Sequence, residues 1–72
     1  MGESIYSREY KLFLERLRKI RLKSGLTQVE AAQRLKKPQS YISKIERGER
    51  RIDVIELKWL LKIYKTELKE LF

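Results

Sequence analysis

The sequence predicts an all-α domain of five helices in a single unit spanning residues 1–72. Three observations point to that class. Large apolar residues recur at three- and four-residue spacings, as on one face of a helix. Two capping boxes, Thr27-x-x-Glu30 and Asp53-x-x-Glu56, mark helix starts. Gly25 and Gly48 stand just past periodic segments, where a left-handed residue ends a helix. The expected helices cover residues 7–24, 28–35, 39–47, 54–64 and 67–72.

Met1 to Tyr6 carries no strong signal and is expected to fray, with Ile5 and Tyr6 as the residues able to pack back. Ser7 is the expected N-cap of the first helix, and Glu9 sits in its first turn, where the helix dipole favours an anion. Tyr10, Phe13, Leu14, Leu17 and Ile20 form its buried stripe. Arg21 continues that stripe four residues after Leu17. An unpaired charge there would be costly, so a carboxylate must meet it. Glu46, which follows Ile45 and borders the inner face of a later helix, is the expected partner.

The second helix starts after Thr27, carries small residues at Ala31 and Ala32 that admit a close neighbour, and has one large anchor, Leu35. Lys36-Lys37-Pro38 breaks the pattern, and proline suits the first turn of the helix that follows. From Gln39 the period resumes. Ile42 and Ile45 share one face, while Gln39, Ser40, Ser43, Lys44 and Arg47 share the other. That outer face offers amide, hydroxyl and cationic donors and no carboxylate, which suits a DNA groove. Two short helices joined by a tight turn, the second with such a face, make a helix-turn-helix.

Gly48 ends the third helix, and Glu49-Arg50-Arg51 forms a charged loop. Asp53 then caps a helix from Val54 to about Tyr64, Lys65-Thr66 is a joint, and a last helix from Glu67 to Phe72 is expected with Thr66 as its cap. Between Ile52 and Phe72 the large apolar residues surround the fourth helix instead of following one stripe. A helix apolar on most sides is buried on most sides. In so small a domain the extra cover is expected from a second copy, with Trp59, Leu60, Ile63 and Phe72 in the dimer interface.

Composition narrows the function. A 72-residue chain buries only roughly 60% of its unfolded surface, which leaves little room for an enclosed active site. The absence of cysteine and histidine removes disulfides, thiolate metal sites and the commonest general base. No enzyme activity, metal, cofactor or small-molecule ligand is therefore expected. No apolar run approaches the roughly 20 residues that cross a bilayer, so a cytoplasmic location is the default expectation. The net charge is +8, and it is concentrated: 12 Lys and Arg face 3 Asp and Glu between Arg16 and Arg51, against 6 and 7 elsewhere. That excess surrounds the proposed reading helix and favours a polyanion. A membrane surface is the rival polyanion, but Phe13, Leu14, Leu17 and Ile20 are needed for the core and cannot also lie in lipid.

The tracts GLTQVEAAQRL (residues 25–35) and QSYISKIERGERR (residues 39–51), with the helical segments around them, resemble the lambda repressor–Cro type (XRE-type) helix-turn-helix family from about Tyr10 to Phe72. The resemblance implies a lambda-repressor-like fold and a transcriptional regulator that binds double-stranded DNA. It also implies pairing of Arg21 with Glu46, and a role for Gln28 in touching a phosphate and bracing Gln39. One departure stands out: the family usually has glycine in the turn where this chain has Lys36. The residues themselves nominate Gln39, Ser40, Ser43 and Lys44 for DNA base contacts, with glutamine suited to adenine and lysine to guanine. Gln28, Tyr41, Arg47, Arg50 and Arg51 are the candidates for backbone contacts. The expected function is a sequence-specific regulator, a repressor, acting as a homodimer on an inverted repeat. The competing function is a protein-interaction adaptor that uses the same fold and binds nucleic acid without specificity.

Overall fold

A computed structural model of the protein describes residues 7–72, so the expectations for Met1 to Tyr6, including Ile5 and Tyr6, lie outside the described residues. Those residues form four α-helices and a closing 3₁₀ helix: α1 (Arg8–Ser24), α2 (Gln28–Arg34), α3 (Tyr41–Glu46), α4 (Val54–Ile63) and the 3₁₀ helix Leu68–Leu71. There is no strand among them.

The helix starts follow from local hydrogen bonding. The Ser7 hydroxyl accepts from Tyr10 N at 3.1 Å and caps α1. Thr27 and Glu30 exchange side-chain and backbone bonds at α2, with Glu30 N to Thr27 Oγ1 at 3.0 Å and Thr27 N to Glu30 Oε1 at 2.9 Å. Asp53 and Glu56 do the same at α4. Each reciprocal pair satisfies backbone donors that the first helical turn leaves open.

Helix ends are equally local. Beyond α2, Lys36 N donates to Gln33 O and Lys37 N to Ala32 O, both at 3.0 Å. This is a Schellman closure, which requires a left-handed residue between the two donors. Lys36 takes that place with φ 57°, and Lys65 takes it after α4 with φ 57°. After α3 the same place falls to Gly48, φ 77°.

Most helix ends fall within one residue of expectation, but two segments depart further. The third helix begins at Tyr41, because Gln39 and Ser40 form a turn in which Tyr41 N donates to Pro38 O at 3.0 Å. Pro38 thus enters the turn before the helix and not its first turn. The last segment is a single 3₁₀ helix preceded by Glu67 with no side-chain cap, so Thr66 is not its cap.

The core forms where the helices converge. Leu17 from α1, Ile42 and Ile45 from α3, Leu60 from α4 and Leu71 from the 3₁₀ helix are each at most 1% exposed. Ala31 and Ala32 are wholly buried, and their small side chains bring α2 against α3. Leu71, with Arg16 Nη1 donating to its carbonyl at 3.1 Å, docks the chain end onto α1. Leu60 is therefore part of the domain's own core. Its assignment to a dimer interface is corrected: the apolar residues around α4 are split between an inner set and an outer set, which periodicity over one helix does not separate.

Candidate nucleic-acid interface

Helix α3 is anchored from within and displayed without. Tyr41, Ile42 and Ile45 face the core, whereas Gln39, Ser40, Lys44 and Arg47 are exposed and Ser43 is half-buried. The Ser43 hydroxyl donates to Ser40 O at 3.0 Å, so its proton is engaged locally while its oxygen remains an acceptor. Gln28, Val29, Gln39, Ser40 and Ser43 line a shallow depression on one flank of the helix-turn-helix. Lys37, Pro38, Ser40, Tyr41, Lys44 and Arg50 line another on the opposite side of Ser40.

The orientation of α3 is held at its far end by a buried ion pair. Arg21 Nε donates to Glu46 Oε2 at 2.6 Å and Arg21 Nη2 to Glu46 Oε1 at 3.2 Å. Arg21 Nη1 donates to Leu26 O at 2.9 Å, and Gln28 Nε2 donates to Glu46 Oε1 at 2.9 Å. The Arg21 and Glu46 side chains are 7% and 4% exposed. Every strong bond in this cluster has a charged partner, which makes it short and directional. It ties α1, the start of α2 and the end of α3 together. Tyr64 is buried close by, and burial, aided by the Glu46 charge, pushes its hydroxyl well above the usual tyrosine range.

The Gln28 amide thus serves Glu46 and makes no bond to Gln39 among the described residues. The bracing role implied by the resemblance is absent from this arrangement, although both glutamines border the same depression.

The backbone-contact candidates divide. Tyr41 is only 5% exposed and its hydroxyl is enclosed, so it cannot reach a phosphate directly; that assignment is corrected. Burial, with Glu56 nearby, pushes its hydroxyl up to about 12. The Arg50 guanidinium lies 4.9 Å from the Tyr41 ring centroid and is held by Glu56, with Nη2 to Oε2 at 2.7 Å and Nη1 to Oε1 at 2.9 Å. Arg50 is therefore half of a salt bridge and not a simple cationic arm. Glu56 also accepts from Asp53 N at 3.1 Å, and the Arg50 bonds hold its carboxyl down at about 2 despite burial. Arg47 is exposed and pairs with Glu49 at 3.1 Å. The Arg51 guanidinium sits 5.2 Å from the Tyr10 ring centroid.

Two participants escape sequence reasoning. Glu56 reads only as a capping residue, yet its second oxygen anchors Arg50. Lys37 reads as a helix breaker, yet its ammonium lies 5.5 Å from both the Tyr41 and the Trp59 ring centroids. The one available signal was a pair of aromatics spaced for different helices, which names no partner.

Of the residues nominated for the dimer, Trp59 is 40% and Phe72 78% exposed, and Ile63 is half-buried. Phe72 stacks on Phe13 at 5.9 Å between centroids. Val54 and Ile55 are also exposed on α4. No group of acidic residues among the described residues could hold a metal ion, and no helix is long and apolar enough to cross a membrane.

Residues 17–71 match the family model for the helix-turn-helix. A solved XRE-family like protein from Pseudomonas syringae pv. tomato str. DC3000 is 38% identical, with a TM-score of 0.83 over 99% of this chain and 89% of that one. No curated protein matches the chain significantly.

Proposed function

The chain belongs to the XRE-type helix-turn-helix family of DNA-binding regulators, and from that premise we propose that it is a sequence-specific repressor acting as a homodimer. In this reading α3 enters the major groove. Gln39 addresses adenine N6/N7, Lys44 addresses guanine O6/N7, and Ser40 and Ser43 serve either base. Gln28, Arg47, Arg50 and Arg51 contact the backbone, Arg50 with part of its charge already balanced by Glu56. The dimer places two α3 helices on successive major-groove faces about 34 Å apart, so its operator is an inverted repeat.

The observation that carries this reading is the division of α3 and the turn that leads into it. Their apolar residues and the Glu46 carboxylate point inward, and what remains outside is a row of amide, hydroxyl and ammonium groups from Gln39, Ser40, Ser43 and Lys44. A surface needed only for solubility has no reason to exclude carboxylates.

Selection of bound sites from random duplex DNA tests it. A recovered inverted repeat is expected, and Lys44→Ala or Gln39→Ala should each lose about 1–3 kcal/mol on that site and relax choice at one base pair. The exposed Val54, Ile55 and Trp59 favour the competing adaptor function. An adaptor would enrich no sequence and would bind preferred and scrambled duplexes with the same salt sensitivity.

A further inference from the structure

The depression lined by Lys37, Pro38, Ser40, Tyr41, Lys44 and Arg50 holds three cations around an aromatic floor, in a volume of about 260 Å³ open to solvent. Arg50 has part of its charge balanced in place by Glu56. Lys37 and Lys44 take part in no ion pair among the described residues. The positive charge of the depression that no carboxylate balances therefore comes chiefly from these two lysines. Lys44 projects from α3 and is the guanine reader in the reading above. Lys37 comes from the turn and has no such role.

Lys37 is also prepared for an anion. Its stem is half-buried, and its ammonium rests near the faces of Tyr41 and Trp59, each at 5.5 Å from the ring centroid. Aromatic faces attract a cation without neutralising it. A lysine held this way gives up less rotamer freedom on binding than one extended into water. Ser40 borders both this depression and the one flanked by Gln28 and Gln39, so the lysine lies beside the base-reading positions.

We propose that Lys37, seated on Tyr41 and Trp59, binds one DNA backbone phosphate at the edge of the major groove that α3 occupies. This rests on the DNA-binding reading and adds to it a phosphate contact by a residue outside those nominated from the sequence. The geometry divides the labour: Arg50 also fixes Tyr41 and α4 through its bonds to Glu56, and Lys37 delivers a charge that no ion pair balances. A phosphate taken there sits next to Lys44, which aligns that side chain with a base edge.

The test uses the whole chain, a fluorescein-labelled duplex of random sequence, and binding measured by anisotropy across a KCl series. Wild-type protein, Lys37→Met, Lys37→Arg and Lys62→Gln are compared after their helicity is matched by circular dichroism. Lys37→Met keeps the packed stem and should lower the slope of log affinity against log salt by about 0.9, the value for one phosphate. Lys37→Arg should keep the wild-type slope. Lys62→Gln, which removes a charge from α4 outside the depression, should leave it unchanged. A Lys37→Met slope equal to wild type overturns the phosphate seat while leaving DNA binding intact. An equal drop in Lys62→Gln also overturns it, because the effect would then be one of net charge. If the wild-type protein binds no duplex at all, both the seat and the DNA-binding reading fall.

Discussion

Arg21 grips Glu46 through two nitrogens, at 2.6 and 3.2 Å, with both side chains almost wholly removed from water. The pair joins α1 to the end of α3, so its loss acts on the fold and on the face that α3 presents together. Arg21→Ala leaves Glu46 charged, buried and served only by Gln28. A destabilisation of about 3–5 kcal/mol is expected. Combining Arg21→Met with Glu46→Leu should recover much of it, though not all, because the Leu26 carbonyl and the Gln28 amide lose their partners. Thermal melts of the three variants check this, and an unchanged melting temperature in Arg21→Ala would contradict the burial described.

Glu56 makes stability depend on acid. Its folded-state value of about 2 lies below the ordinary 4.5. A group lowered in this way contributes its full stabilisation above the ordinary value and loses it as pH falls toward the folded one. Stability should therefore decline between about pH 4.5 and pH 2. Linkage sets an upper bound of about 3 kcal/mol, reduced because Arg50 is 40% exposed and screened by water. Glu56→Gln should be less stable at neutral pH and should flatten that acid limb. Denaturant midpoints across the pH range measure both.

Lys36 holds a left-handed backbone, φ 57°, that a side chain other than glycine adopts at a cost of about 1–2 kcal/mol. Glycine relieves the strain but gains freedom in the unfolded chain, so Lys36→Gly should stabilise by about 0.5–1 kcal/mol. Lys65→Gly, with the same φ, should behave alike. A lower melting temperature in either variant would mean that the lysine side chain contributes more than its backbone strain removes.

The outer face of α4 should separate from the inner face by mutation. Trp59→Ala is expected to move the protein from dimer to monomer with its helicity kept, because large aromatics dominate such contacts. Leu60→Ala should instead unfold the domain by about 2–5 kcal/mol, since Leu60 is 1% exposed within one copy. Sedimentation across concentrations, paired with thermal melts, distinguishes the two. A wild-type protein that stays monomeric at high concentration, with and without its site, would remove the dimer from the proposed mechanism.

Local chemistry was the most legible part of this chain. Ser7, Thr27 with Glu30, and Asp53 with Glu56 act within four residues of one another, and their roles as helix starts follow from spacing alone. Arg21 and Glu46 are 25 residues apart, but a charge on an apolar stripe demands a partner, and few carboxylates border the inner face. Arg50 was harder. Nothing in its loop shows that a capping glutamate six residues on has a second oxygen to offer. Leu60 and Trp59 look alike in one dimension, because an apolar residue does not declare whether its cover comes from its own chain. The start of α3 shifted because Gln39 and Ser40 fit a turn as readily as a first helical turn.

Helix α3 is six residues long, far below the length at which a helix persists alone in water. Its shape is therefore imposed by what lies beneath it: Tyr41, Ile42, Ile45 and the carboxylate of Glu46. Gln39, Ser40, Lys44 and Arg47 stand outside that scaffold and are exposed. The domain accordingly behaves as a socket with an exchangeable face. Those four positions can be randomised together without touching what keeps the chain folded, so the chemistry of that face can change with no change of architecture.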